Sequence, residues 1–112
     1  MFGLGNNVPE ISVDDLKKLL DAGKKISLID VRTEHEFARG KIEGSINIPV
    51  DRIAQIKSTI KDTKKNLYVY CLSGSRSAIA TATLIKLGYK NSVNVTNGLL
   101  AWRAKGFPLS TD

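Results

Sequence analysis

The sequence has very few of the residues that form covalent or metal cross-links. Its 112 residues include one cysteine, Cys71, and one histidine, His35. A single cysteine excludes a disulfide within the chain, so we expect stability from packing and a reducing compartment, the cytoplasm. One histidine and one cysteine are also too few for the usual zinc sites. We therefore predict no metal and no cofactor.

Long hydrophobic runs are absent as well. No apolar stretch approaches the roughly 20 residues of a membrane-spanning helix, so we predict no association with a membrane. The first seven residues have neither a basic region nor an apolar core. We therefore expect no signal peptide.

Aromatic residues are scarce, at 6% of the chain, while the net charge is +6. A basic excess raises the possibility of nucleic acid binding, but no aromatic side chains are interleaved with the lysines to stack on bases. The lysines lie instead in scattered pairs at predicted turns and helix ends: Lys17-Lys18, Lys24-Lys25 and Lys64-Lys65. We predict no nucleic acid partner, and a mildly basic surface that attracts small anions.

The sequence does contain an alternation of predicted short strands and amphipathic helices. Its length of 112 residues suits one domain. The predicted strands are Ile26–Ile29, Ile46–Ile48, Leu67–Cys71 and Ser92–Val95. The first predicted helix runs from Val13, between an N-cap at Ser12 and a stop at Gly23. The second is Thr33–Arg39, where Thr33 and Glu36 match a capping box. The others are Ile53–Ile60, Ser77–Leu87 and Leu99–Lys105. This alternation predicts an α/β fold in which helices cover both faces of a parallel sheet. Ligands bind such sheets at the carboxyl ends of the strands.

The segment Cys71–Ser77 is the most unusual one, because it joins the strongest predicted strand to a helix. Gly74 gives this loop conformational freedom, and the amides at the helix start can form a nest for an anion. Arg76 adds a permanent positive charge. These groups favour the thiolate of Cys71, which is the nucleophilic form. The alternative is an inert, buried cysteine, which the composition of the loop makes less favoured.

Three segments in order resemble the signatures of rhodanese-like proteins, which move sulfane sulfur through a cysteine persulfide. The segments are Asp30–Pro49, Cys71–Ser77 and Gly98–Pro108. Two departures are Lys41, where the family often has histidine, and Asn97, where it often has glycine. The resemblance places a rhodanese-like domain at residues 11–108, between an N-terminal extension (1–10) and a C-terminal tail (109–112).

The resemblance implies a three-layer α/β/α fold with a five-stranded parallel sheet and the cysteine strand at its centre. It implies that Cys71 takes sulfur from thiosulfate or a related small anionic donor. The persulfide is then passed to cyanide, a small thiol or a protein acceptor. The residues implied in substrate binding are Leu72, Ser73, Gly74, Ser75, Arg76 and Ser77. We expect a monomer.

Other charged and aromatic residues have less specific interpretations. Arg32 follows a predicted strand near the same crevice and is a candidate for holding the donor anion. An ion pair with Asp30 or Glu36 is the favoured alternative, because buried charges are usually paired. We expect Trp102 to anchor the core. His35, next to glutamates, is expected to be exposed and to take no part in catalysis.

Two other functions stay open. A phosphatase or arsenate reductase is less favoured, because four residues separate Cys71 from Arg76, whereas the cell-cycle phosphatases that share this fold have five. A non-catalytic binding module or a redox sensor is the main alternative, although the intact loop favours sulfur transfer. Since Leu72 is the only bulky apolar residue in the loop, we predict an open, shallow site that accepts a protein partner.

Overall fold

A computed structural model describes residues 7–111 of the chain. The expectations for residues 1–6 and residue 112, which belong to the predicted N-terminal extension and C-terminal tail, lie outside the described residues. In the described part of the chain, no helix combines the length and the apolar character that crossing a membrane requires.

Five strands form one parallel sheet. The sequence of the fourth, Leu-Tyr-Val-Tyr, is rich in the β-branched and aromatic side chains that favour strands. The strand order is β1-β5-β4-β2-β3, and all neighbouring strands are parallel, so β4 is central. The strands are β1 (Glu10–Ile11), β2 (Ser27–Asp30), β3 (Ile46–Asn47), β4 (Leu67–Tyr70) and β5 (Ser92–Val95).

Helical segments connect the strands, as parallel pairing requires. The predicted caps of the first two helices are confirmed. Ser12 accepts a hydrogen bond from the amide of Asp15, and Thr33 forms a capping box with Glu36. The helices are α1 (Val13–Asp21), α2 (Glu34–Ala38), α3 (Ile56–Thr59), α4 (Ser75–Lys86) and α5 (Gly98–Ala104), with a 3-10 segment (Val50–Gln55) before α3.

The alternation of side chains along the strands divides the core into two halves. Val69 and Cys71 pack with residues of α3 and α4 on one face of the sheet. Tyr70 packs with α1 and α5 on the other face, where Trp102 is buried and its Nε1 donates to the carbonyl of Pro108 at 2.8 Å. The predicted three-layer fold and the predicted role of Trp102 are therefore confirmed.

Three elements differ from the sequence prediction. α4 begins at Ser75 and not at Ser77, because Gly74, with a φ of 108°, turns the chain directly into the helix. The predicted helix 53–60 is the end of a 3-10 segment followed by the short helix α3, and Ile60 is already extended. The edge strand β1 was not predicted, because Glu10-Ile11-Ser12 has one apolar residue and shows no alternation, unlike Ile46-Asn47-Ile48 at β3.

Candidate active site

Cys71 directly follows β4, at the carboxyl edge of the central strand. It continues the alternation of Val69, so its side chain lies on the face of the sheet that α4 covers. α4 begins four residues later, after the turn at Gly74. The strand and the turn together bring the N-terminus of a 12-residue helix to the sulfur, and Cys71 itself is fully buried.

Hydrogen-bond donors of the loop converge on the sulfur atom. The amide of Gly74 donates to Cys71 Sγ at 3.1 Å and the amide of Ser77 at 3.4 Å. Ser77 Oγ lies 3.4 Å from the same sulfur and donates to the carbonyl of Gly74 at 3.1 Å. Ser73 and Ser75 are exposed, with their hydroxyls 3.4 Å apart. Two amides and one hydroxyl therefore contact the sulfur, and the two outer serines are exposed.

These contacts change the acidity of the thiol. Burial raises the pKa of Cys71, but hydrogen bonds from the Ser77 hydroxyl and amide, and from the amides of Gly74 and Ser73, lower it more. The net pKa lies below the ordinary thiol value. The positive end of the α4 dipole acts in the same direction. The site therefore favours the thiolate, the form of cysteine that attacks sulfur and carbon electrophiles.

Arg76 binds Glu36 and makes no close contact with the sulfur among the described hydrogen bonds. Its Nη1 lies 2.8 Å from Glu36 Oε1, and its Nη2 lies 3.1 Å from Oε2. This bidentate pair lowers the pKa of Glu36 to about 2 and raises the pKa of Arg76. Glu36 also caps α2 through Thr33. Arg76 thus ties the cysteine loop to α2, while amides and a hydroxyl make the close contacts with the sulfur.

Arg32 and Asp30 form a buried ion pair next to the site. Arg32 Nη2 lies 2.7 Å from Asp30 Oδ2 and donates to the carbonyl of Gly40 at 2.6 Å. Burial lowers the pKa of Arg32, but the hydrogen bonds and charge of Asp30 raise it above the ordinary value. Pairing with Asp30 is the structural role that the sequence favours. Glu36, the other partner suggested for Arg32, forms its salt bridge with Arg76 and acts on Arg32 only through its charge.

Gly98, at the start of α5, holds the loop from the other side. The amide of Leu99 donates to the carbonyl of Cys71 at 2.9 Å, and the amide of Leu100 to that of Leu72 at 3.0 Å. A Cβ atom at Gly98 would overlap the Cys71 carbonyl oxygen. In the sequence, Gly98 was noted only as the first residue of the segment Gly98–Pro108 that resembles the family. No local pattern indicates that α5 meets the cysteine loop.

A cleft of about 340 Å³ opens beside the loop and contains three arginines. Two of them, Arg39 and Arg103, were not singled out from the sequence. The lining residues are Arg32, Glu36, Arg39, Gly40, Leu72, Leu99, Arg103 and Leu109. A larger cleft of about 440 Å³ lies at the start of β2, near Lys25 and Lys65. That cleft is at the amino ends of the strands, away from the cysteine, so the smaller one is the candidate substrate site.

The family model of the rhodanese-like domain matches residues 12–105, which is most of the chain. The chain therefore belongs to the rhodanese-like family, and the buried cysteine at the carboxyl end of the central strand lies within the matched residues.

Curated relatives agree with this assignment. A sulfurtransferase of Allochromatium vinosum is 35% identical over 103 residues, which cover 91% of this chain and 94% of the relative. A putative mitochondrial thiosulfate sulfurtransferase of Schizosaccharomyces pombe is 37% identical, covering 88% of this chain and 82% of the relative. A putative sulfur carrier protein of Bacillus subtilis is 30% identical over 89% of this chain, which spans only 54% of that relative.

Solved structures show the same fold. A rhodanese-related protein from Thermoplasma volcanium has a TM-score of 0.77 and 33% identity, with 93% of this chain and 99% of that chain covered. A rhodanese-like domain from Anabaena has a TM-score of 0.85 and 25% identity, with 93% of this chain and 80% of that chain covered. Sequence family and fold therefore agree.

Proposed function

We propose that the protein is a sulfurtransferase that carries sulfane sulfur as a persulfide on Cys71. The sulfur comes from thiosulfate or a related donor and goes to cyanide or a thiol. The observation that carries this proposal is the convergence of two amides and the Ser77 hydroxyl on Cys71 Sγ. The relatives named as sulfurtransferases support it.

In the first step, the Cys71 thiolate attacks the outer sulfur of thiosulfate. The bond between the two sulfur atoms of thiosulfate breaks, and its electron pair leaves with sulfite. A new bond joins Cys71 Sγ to the outer sulfur, which keeps one negative charge. The amides of the loop and the dipole of α4 favour this anionic persulfide for the same reason that they favour the thiolate.

In the second step, cyanide or an acceptor thiolate attacks the outer sulfur. The bond between that sulfur and Cys71 Sγ breaks, and its electron pair returns to Cys71 as the thiolate. The acceptor leaves as thiocyanate or as a persulfide. Such covalent two-step transfer gives ping-pong kinetics.

Two conditions follow because Cys71 is buried and is the only cysteine in the sequence. We propose that residues 72–75 of the loop move to admit a donor, since Cys71 has no exposed surface. The cysteine must also stay reduced between turnovers, and the chain has no second cysteine to resolve an oxidised form. We therefore propose that the protein acts in a reducing compartment, the cytoplasm.

The intact mass of the protein tests the persulfide directly. After incubation of the reduced protein with thiosulfate, we expect the mass to increase by one sulfur atom and to return to its original value with cyanide. Thiocyanate should appear in equal amount. The matched control is Cys71→Ser, which is similar in size and should gain no mass.

This experiment tests the identity of the donor separately from the persulfide mechanism. A mass gain with polysulfide but not with thiosulfate would replace the donor and keep the carrier mechanism. No gain with either donor would contradict the proposal and leave a binding module or a redox sensor.

A further inference from the structure

Lysines that are scattered in the sequence lie together at one edge of the sheet. The segments that lead into β2, β4 and β5 contain seven exposed lysines and one acidic residue, Asp62. The sequence has 17 lysines and arginines and 11 acidic residues, so those outside these segments balance at ten of each. The whole net charge of +6 therefore lies at this edge, which we call the amino edge. Its lysines are Lys24, Lys25, Lys61, Lys64, Lys65, Lys86 and Lys90.

Hydrogen bonds between the three segments hold the amino edge as one continuous surface. The amide of Ser27 donates to the carbonyl of Asn66 at 3.0 Å, which joins the segments before β2 and β4. The side-chain amide of Asn91 donates to the carbonyl of Lys64 at 2.9 Å, which joins the segments before β4 and β5. These strands are neighbours in the sheet, so the outer two are only about 10 Å apart.

The positive charge of the amino edge has no partner among the described residues. Within residues 7–111, none of the seven lysines forms a salt bridge. Asp62 accepts a hydrogen bond from the amide of Lys64 at 2.9 Å, and Asp21, at the end of α1, is paired with Lys17. The carbonyl ends of α1 and α4 contribute about half a negative charge each, far less than seven lysines. The amino edge therefore attracts an anion that is large enough to contact several lysines.

The composition of the amino edge favours an acidic polypeptide over other large anions. Its cationic residues are all lysines, whereas arginine is the usual residue for recognising phosphate and nucleic acid. No exposed aromatic side chain lies among the described residues of the three segments to stack on bases. The exposed large hydrophobic side chains of the described residues also lie elsewhere, so the edge has none to insert into a lipid surface.

A cleft of about 440 Å³ makes part of the amino edge concave. It is lined by Lys25, Ile26, Ser27, Lys65 and Asn66. The stems of the two lysines and the half-buried Ile26 offer apolar contacts, while Ser27 and Asn66 offer a hydroxyl and an amide. The side chains of an extended polypeptide can enter such a cleft, whereas the convex surface of a nucleic acid duplex cannot.

We infer that the amino edge docks an extended segment of a partner protein that is rich in aspartate and glutamate. Six extended residues span about 20 Å, enough to cross all three strands. Cys71 lies at the other edge of the sheet, about 13 Å along β4 from Leu67. A partner docked at the amino edge therefore leaves the cysteine loop free to react with other molecules. The docking needs no reaction at Cys71 and does not depend on the proposed function.

Binding of a fluorescein-labelled octaglutamate peptide, measured by anisotropy at low ionic strength, tests the surface. We expect Lys25→Gln/Lys65→Gln to weaken binding about tenfold, the effect of two exposed charge pairs. The matched control is Arg39→Gln/Arg52→Gln, which removes the same charge from two exposed residues in the connections that follow β2 and β3. The control should bind the peptide as the wild type does. Equal weakening in the two variants, or no weakening in either, would overturn the inference.

The contribution of the cleft is tested by a variant that fills it without a change of charge. We expect Asn66→Trp to weaken peptide binding about fivefold, the loss of the contacts within the cleft. Thr63→Trp is the control, since Thr63 is exposed in the same segment but does not line the cleft. Peptide binding that Asn66→Trp leaves intact, or tighter binding of duplex DNA or phosphatidylserine vesicles than of the peptide, would contradict a polypeptide site.

Alkylation of Cys71 by iodoacetamide locates the bound peptide. We expect a saturating concentration of octaglutamate to leave the alkylation rate unchanged, because the amino edge and the cysteine loop lie at opposite edges of the sheet. Protection of Cys71 would place the peptide at the carboxyl edge and overturn the inference. A protein that never takes up sulfur would refute the proposed function, but these binding measurements would still decide whether the docking surface exists.

Discussion

At the scale of single residues, the chemistry depends on the few groups that contact the sulfur atom of Cys71. In the thiol form, Cys71 donates weakly to Ser77 Oγ, and Ser77 Oγ donates to the carbonyl of Gly74. When the proton leaves, the same hydroxyl can turn toward the thiolate, together with the amides of Gly74 and Ser77. Ser77 is itself fully buried, so water cannot replace its hydroxyl without rearrangement.

Replacing Ser77 with alanine tests this contribution. The Ser77 hydroxyl lowers the pKa of Cys71, so its removal should raise that pKa and decrease the thiolate fraction at neutral pH. We expect Ser77→Ala to slow persulfide loading at pH 7 about threefold to tenfold, the effect of losing one ordinary hydrogen bond. At a pH well above both pKa values, the two rates should converge. Alkylation of Cys71 by iodoacetamide across the pH range measures the shift.

The control for this prediction is Thr83→Ala, which removes a hydroxyl from the same helix. Thr83 Oγ1 donates to the carbonyl of Ile79, away from the sulfur. Its pH profile should match that of the wild type. A Ser77→Ala profile that also matches the wild type would show that the amides alone stabilise the thiolate.

At the scale of elements, two helix N-termini hold the cysteine loop from different directions. α4 directs its first amides at Cys71 Sγ, while α5 directs its first amides at the carbonyls of Cys71 and Leu72. The second contact requires glycine at position 98, because any side chain there would meet the loop backbone. The position of the sulfur therefore depends on the packing of α5 as well as on its own loop.

Replacing Gly98 with alanine should disturb this packing. The added Cβ overlaps the backbone of Cys71, and backbone cannot move aside as a flexible side chain can. We expect Gly98→Ala to lower the free energy of unfolding by about 2–4 kcal/mol and to reduce loading per folded molecule. Urea denaturation and the mass measurement test the two effects.

Gly23→Ala is the matched control for the backbone conformation. Gly23 also has a positive φ, of 71°, but nothing lies within 4 Å of the position of its Cβ. The control should lose only about 1–2 kcal/mol, the cost of a left-handed conformation for alanine. If both variants lose the same free energy of unfolding, the overlap of the new Cβ with the cysteine loop adds no cost at position 98.

At the scale of the whole molecule, ion pairs join segments that are distant in sequence around the site. Arg76 and Glu36, 40 residues apart, connect the cysteine loop to α2, and their side chains are 35% and 31% exposed. Asp30 and Arg32 are nearly completely buried beside them. Partial exposure weakens the first pair through solvent screening, so it contributes modestly to stability.

The pair between Glu36 and Arg76 predicts how stability depends on pH. The pKa of Glu36 in the folded protein is about 2, below that of an unfolded chain. The contribution of this ion pair to stability is therefore complete above the pKa that Glu36 has in the unfolded chain. It is lost as the pH falls toward about 2. We expect Glu36→Gln, which keeps an oxygen for the α2 cap, to cost about 1–2 kcal/mol at pH 7. The difference from the wild type in urea denaturation should shrink below about pH 4.5.

Glu34→Gln provides the comparison. Glu34 lies in the same helix, but its pair with Arg52 is 3.4 Å long and its side chain is 75% exposed. We expect a change below about 0.5 kcal/mol at any pH in this range. If Glu36→Gln lowers the free energy of unfolding by the same amount at every pH, the cap and the packing of Glu36 explain the loss. The charge of Glu36 would then contribute nothing to stability.

The sequence by itself determined the features that depend on neighbouring residues. The alternation of strands and helices, the caps at Ser12 and Thr33, and the turn at Gly74 follow from local periodicity and local hydrogen bonding. The cysteine at the end of the strongest strand could therefore be predicted to lie at the carboxyl edge of a parallel sheet. The five-strand count came from the family resemblance, because the residues around β1 show no apolar alternation.

Only the tertiary structure decided which distant groups meet. It paired Glu36 with Arg76, set Gly98 against the carbonyl of Cys71, and brought Arg39 and Arg103 to one cleft. Such partners lie on different elements, and periodicity within an element gives no information about them. Their contacts arise when the sheet and helices pack, since burial of apolar faces sets which polar groups come within hydrogen-bond distance.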